Sequence, residues 1–140
     1  MALVVLALCW TAACPADTVT PRLVIVASAK STLTTLTPTE IRRVYLGIPL
    51  IQDGHEVIPL RNAADPLIQE MFLQHVLFMS AQAYERQMAG RVYRAGGNRI
   101  PEYANLSQIV EALTNEPRSI TYMSHETATG LADIKIIAAP

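Results

Sequence analysis

The sequence is poor in cysteine, in charge and in aromatic side chains. Its two cysteines are Cys9 and Cys14, both close to the N-terminus. No thiol follows Cys14, which removes disulfides, cysteine zinc sites and cysteine nucleophiles from the rest of the chain. Charged residues make up 16% of the 140 residues, and 11 Lys and Arg against 12 Asp and Glu give a formal net charge of −1. A nucleic-acid partner calls for a basic face, and the composition offers none. Beyond the leader no apolar run approaches the roughly 20 residues that span a bilayer, so no membrane span is expected in the mature chain. There is no Gly-x-Ser-x-Gly elbow, no Gly-x-x-x-x-Gly-Lys phosphate loop and no Gly-x-Gly-x-x-Gly fingerprint. His55, His75 and His125 are far apart, and His125-Glu126 lacks a second histidine at zinc-protease spacing. The expectation is a chain that is not an enzyme and carries no metal and no cofactor.

What is present is apolar bulk. Hydrophobic residues are 51% of the chain, which argues against disorder, and the length suits one domain with a real core. Met1 to Ala13 is almost wholly apolar and is followed by small residues. It reads as the apolar region of a secretory signal, although no Lys or Arg precedes it. We assign residues 1–16 to a signal peptide and residues 17–140 to the mature domain. Cleavage after Ala16 gives a soluble periplasmic protein. Thr11-Ala12-Ala13-Cys14 is a poor lipobox, with a lipoprotein anchored at Cys14 as the other reading.

Leu23 to Ala27 is a β-branched run without alternation and predicts a strand buried on both faces. Ser28 to Leu36 is a polar loop. Thr37-Pro38-Thr39-Glu40 is a capping box with Pro at the first helical position, and Gly47 is placed to end that helix. Asp53-Gly54 signals a hairpin, followed by a strand over Glu56 to Leu60 in which Pro59 marks an end or an edge. Asp65-Pro66 opens a long helix with Leu67, Ile68, Met71, Phe72, Val76 and Met79 at helical spacing. Ser80 caps another helix ending near Gly90, and Arg91 to Tyr103 is irregular. Asn105 caps a helix that Pro117 cannot let continue. Ser119 to Met123 and Ile134 to Ile137 read as the last strands. Interleaved strands and helices predict an α/β fold, a mixed sheet with flanking helices.

Several segments together resemble the small single-lobe phosphate transporter substrate-binding-like proteins. These look like one lobe of the PstS-like periplasmic phosphate-binding proteins. Leu36 to Gly47 resembles the family's L-s-x-x-E-l-r-x-I-y-L-G signature. Val57 to Arg61 resembles the strand leading to its ligand-facing arginine. Phe72 to Leu77, Gly96-Gly97-Asn98 and Ser119 to Met123 follow in family order. The resemblance implies a type 2 periplasmic-binding-protein-like lobe that captures phosphate or a related oxyanion for ABC-type uptake or sensing. The alternative is a ligand-free envelope protein docking a sensor kinase, a porin or a transporter permease.

The residues themselves point to an oxyanion site at the start of the Asp65 helix. Arg61 lies just before that start, and its guanidinium suits a tetrahedral anion bidentately. Asn62 belongs to the same connection. Ser28, Ser31 and Thr32 follow the first strand with hydroxyls to donate, and Lys30 adds a charge. The family's Ser-Gly-Thr turn is replaced by Ala64-Asp65-Pro66. Pro66 removes an N–H donor. Asp65 either accepts from a protonated ligand oxygen, caps its helix or pairs with Arg61. Arg86, Arg91, Arg94 and Arg99 form a basic stretch that is either a solvated face or a docking surface.

Overall fold

Every residue of the first strand, β1 (Leu23–Ser28), is buried, as its unbroken apolar run requires. The structure is a computed structural model and describes residues 19–140. The leader expected over residues 1–16, with Cys14, lies outside the described residues. β1 is followed by α1 (Pro38–Tyr45), β2 (Ile51–Gln52), β3 (His55–Glu56), β4 (Ile58–Pro59), β5 (Arg61–Asn62) and α2 (Pro66–Phe72). Then come a π-helical turn (Leu73–Leu77), α3 (Ala81–Ala95), β6 (Glu102–Tyr103), α4 (Leu106–Asn115), β7 (Ser119–Ser124), α5 (His125–Thr129) and β8 (Ile134–Ala138).

The main sheet has the order β4-β7-β1-β8. β1 runs antiparallel to β7 and to β8, whereas β4 runs parallel to β7. The sheet is therefore mixed, as expected. β4 is an edge strand, where Pro59 can sit without breaking a ladder on both sides. Alternation along β1 divides the core. Leu23, Ile25 and Ala27 face a layer built from α1, α2 and α3, with Ile41, Phe72 and Tyr84 among the buried residues. Val24 and Val26 face α4 and α5 through Ile109, Leu113 and Ala128. Helices thus cover both faces of one sheet.

Local chemistry sets most boundaries. The Thr37 Oγ1 accepts from the Glu40 N–H at 3.2 Å, and the Glu40 carboxylate accepts from the Thr37 N–H at 2.8 Å. The capping box is thus complete. Gly47 follows α1 at φ 80°, in the left-handed region that glycine tolerates. The β2–β3 hairpin turns on Asp53 and Gly54, both with positive φ.

Three expectations are corrected. α3 does not end near Gly90 but runs to Ala95 and stops at Gly96, which has φ 65°. A helix-interior glycine costs only about 1 kcal/mol, too little to end a helix held by tertiary contacts. The long helix opened by Pro66 stays α-helical only to Phe72, passes into the π turn and ends on Phe78 at φ 56°. The segment read as irregular after Arg91 contains β6, whose two residues pair with β5 in parallel. α5 carried no expectation.

Candidate functional site

The site lies where the edge strand leaves the main sheet. The Leu60 N–H donates to the Ile120 carbonyl at 2.8 Å, holding this residue against β7. One residue later the Arg61 N–H donates to the Pro101 carbonyl at 2.8 Å, so the chain has changed partners to β6. Strand alternation then fixes directions. Leu60 packs in the core on the α4 face, and Arg61 points to the other face, under α3.

There the Arg61 guanidinium meets two carboxylates. Its Nη1 is 2.7 Å from Glu85 Oε1, and its Nη2 is 2.8 Å from Glu102 Oε2. Its carbon lies 5.1 Å from the centre of the Tyr84 ring, within cation–π range. The Arg61 side chain is 16% exposed, while the two glutamates are 45% and 42% exposed. Gln69 Nε2 donates to Glu102 Oε2 at 3.3 Å. Tyr84 is itself anchored, its hydroxyl donating to the Tyr45 carbonyl at 2.8 Å. Burial pushes the Tyr84 phenol well above its ordinary value, with Arg61 pulling the other way. Tyr122 is pushed up to about 12, chiefly by burial. Both phenols therefore stay protonated at neutral pH.

A cavity of about 310 Å³ opens beside this group, lined by Arg61, Tyr84, Glu85, Met88, Arg99, Ile100 and Glu102. Two guanidinium groups and two carboxylates share its wall, so its formal charge is balanced. A tetrahedral oxyanion fits this volume.

The other expected site residues fall elsewhere. Asn62 is buried; its Nδ2 donates to the Tyr122 carbonyl at 2.8 Å and its Oδ1 accepts from the Ala64 N–H at 2.9 Å. Asp65 caps α2, accepting from the Ile68 N–H at 3.2 Å. Asn62 and Asp65 line a separate cavity of about 270 Å³ with Pro66, Leu106, Met123, Ser124 and Thr127. The reading in which Arg61 pairs with Asp65 is corrected: its ion-pair partners are Glu85 and Glu102.

Ser28, Lys30, Ser31 and Thr32 stand at the far end of the sheet. Ala27 and Pro59 both lie level with Ile120. β1 therefore runs on past Ala27 towards the start of β7, while β4 and β5 run towards its end. Ser28 lies one residue beyond the Ala27–Ile120 pair in that direction, and Ile120 is itself two residues before the Tyr122 carbonyl that Asn62 holds. Three extended residues are about 10 Å. The expected gathering of these four residues around one ligand with Arg61 is thus corrected by strand direction. Locally, Ser28 Oγ accepts from the Lys30 N–H and Ser31 Oγ from the Leu33 N–H, each at 3.2 Å. The Ser31 carbonyl accepts from Lys135 Nζ at 2.6 Å. Lys30 and Thr32 are exposed.

Glu85, Glu102 and Tyr84 are the site residues that sequence reasoning missed. Glu102 lies on a two-residue strand that has no periodicity to detect. Tyr84 falls inside the helix that Ser80 caps, where its spacing alone does not mark it as a partner of Arg61. Among the described residues no group of three His, Cys, Asp or Glu is arranged to hold a metal ion. None of their helices is long and apolar enough to cross a membrane.

No family model and no curated protein matches the sequence. Solved structures do match. The chain is similar to an ABC-type phosphate transport receptor from Vibrio cholerae, with a TM-score of 0.59 and 11% identity over 84% of this chain and 45% of the receptor. The fold is periplasmic-binding-protein-like. A second similar structure is PstS from Borrelia burgdorferi, with a TM-score of 0.55 and 15% identity over 84% of this chain and 47% of that one. The chain therefore spans less than half the length of these solved structures.

Proposed function

We propose that this chain is a solute-binding-like module that takes phosphate or a related small oxyanion in the Arg61 cavity. The observation that supports this reading best is the pair of guanidinium groups, Arg61 and Arg99, on the wall of one 310 Å³ cavity in a phosphate-receptor-like fold. Arg61 supplies the fork and Arg99 the second charge. Glu85 and Glu102 balance both while the cavity is empty, and binding must displace or outcompete them. Affinity is accordingly modest, in about the millimolar range, worth roughly 4 kcal/mol. In this reading the chain is not an enzyme. It serves ABC-type uptake or sensing in the periplasm, with residues 1–16 as the leader and residues 17–140 as the working domain.

One observation favours a second reading. The Arg61 fork already holds two carboxylates, as a structural brace between β5, α3 and β6 would. A ligand-free module docking a sensor kinase, a porin or a transporter component needs nothing more from it.

Calorimetric titration of inorganic phosphate into residues 17–140 separates the two. The first reading expects saturable heat that disappears in Arg61→Met and weakens in Arg61→Lys, which keeps charge but loses the fork. Absence of heat and of any thermal shift up to about tens of millimolar phosphate rejects it, since binding there is worth only a few kcal/mol.

A further inference from the structure

The segment from Arg86 to Arg99 carries Arg86, Arg91, Arg94 and Arg99 and no acidic residue. Among the described residues the salt bridges join Arg61 to Glu85 and Glu102, and Arg118 to Glu116. None of the four arginines takes part in one. Such unpaired cations on a helix normally extend into water. Two of these instead lie back on glycines. A Cβ built on Gly47 would come within 2.4 Å of Arg91 Nε, and one built on Gly90 would come within 3.3 Å of Arg94 Nη2.

Gly90 has no positive φ and sits inside α3. There glycine costs up to about 1 kcal/mol relative to alanine. Its missing side chain is the space that the Arg94 guanidinium covers. Leu46, Gln87, Arg91, Arg94 and Ala95 enclose a cavity of about 260 Å³ on this face. Tyr93, 92% exposed, points away from this cavity, since it is two residues from both Arg91 and Ala95. Arg86 is four residues before Gly90, and so shares its side of the helix.

We propose that this face of α3 docks an acidic segment of a partner protein. Its carboxylates pair with Arg91 and Arg94. Charge complementarity selects the sign of the partner. The residue types select its class. All the cations are arginine, whose planar fork matches carboxylates and which is enriched in protein interfaces. A membrane surface fits less well, because binding there needs an apolar face to insert, and α3 buries its apolar Tyr84 and Met88 in the core. The face is separate from the Arg61 cavity, so the inference is independent of the oxyanion reading.

The test uses the full chain and a fluorescein-labelled Glu/Asp-rich peptide, read by anisotropy. A Gln/Asn peptide of equal length and vesicles of phosphatidylglycerol in phosphatidylcholine are the competitors. The expected result is binding of the acidic peptide alone. It weakens about tenfold in Arg91→Gln/Arg94→Gln, from the loss of two exposed charge pairs. Arg86→Gln/Arg94→Gln changes only exposed side chains and provides a variant with an unchanged thermal midpoint; it too weakens the peptide. Arg61→Met leaves peptide binding intact whatever it does to phosphate. Equal binding by the unchanged and substituted proteins overturns the proposal. So does absence of peptide binding, and so does capture by the vesicles without capture of the peptide.

Discussion

Replacing Glu85 by glutamine tests the Arg61 cavity from the opposite direction to removing the arginine. The substitution keeps shape and hydrogen bonding but deletes a negative charge that lies 2.7 Å from Arg61 Nη1. An oxyanion seated on the same guanidinium has that carboxylate as a neighbour at about 5 Å. Their repulsion is worth about 3 kcal/mol per unit of ligand charge at an effective dielectric near 20, and under 1 kcal/mol in water. Glu85 is 45% exposed, which places the effect in the lower half of that range. The expected gain is about fivefold to tenfold in phosphate affinity, and it shrinks with added salt. Stability moves little. A half-exposed ion pair contributes at most about 1 kcal/mol, and Arg61 keeps Glu102 at 2.8 Å. The assay is calorimetric titration of phosphate into the unchanged protein, Glu85→Gln and Glu102→Gln, with urea melts alongside. If neither glutamine variant binds phosphate more tightly than the unchanged chain, the carboxylates do not compete with a ligand. The Arg61 group is then a brace, and the docking reading is favoured.

Two further predictions concern the fold that holds the site. Tyr45 is fully buried and its hydroxyl donates to the Leu60 carbonyl at 2.9 Å, which also accepts from Thr121 Oγ1 at 3.0 Å. Tyr45→Phe therefore leaves that carbonyl satisfied and should cost about 1 kcal/mol in urea unfolding; a loss above roughly 3 kcal/mol contradicts this sharing. Glu40 is held below its ordinary value of 4.5, first by the Thr37 N–H and then by the Thr37 hydroxyl. A lowered folded-state value means that its contribution is present above the unfolded value and is lost as pH falls through the folded one. Thr37→Ala should cost about 1 kcal/mol at neutral pH, and the gap between the two proteins should narrow in melts taken below about pH 4.

Helix starts were the most legible feature, because a cap is a short-range contact between a side chain and a backbone N–H a few residues on. Thr37, Asp65, Ser80 and Asn105 each cap the helix expected of them. Helix ends were harder to read. Gly90 suggests a stop, yet α3 continues to Ala95, because the packing of Tyr84 and Met88 outweighs one glycine. The strands β5 and β6 were not legible, since two residues apiece carry no periodicity.

From sequence alone came a domain of buried β-branched strands, capped helices at defined starts and an arginine before α2. These follow from neighbours along the chain, where spacing and residue type suffice. Tertiary structure alone decided which charges meet. Arg61 finds Glu85 on α3 and Glu102 on β6 and not the Asp65 four residues away. The antiparallel run of β1 carries Ser28 to Thr32 to the opposite end of the sheet from Asn62. Strand direction and strand pairing are long-range choices, and no local pattern in the sequence encodes them.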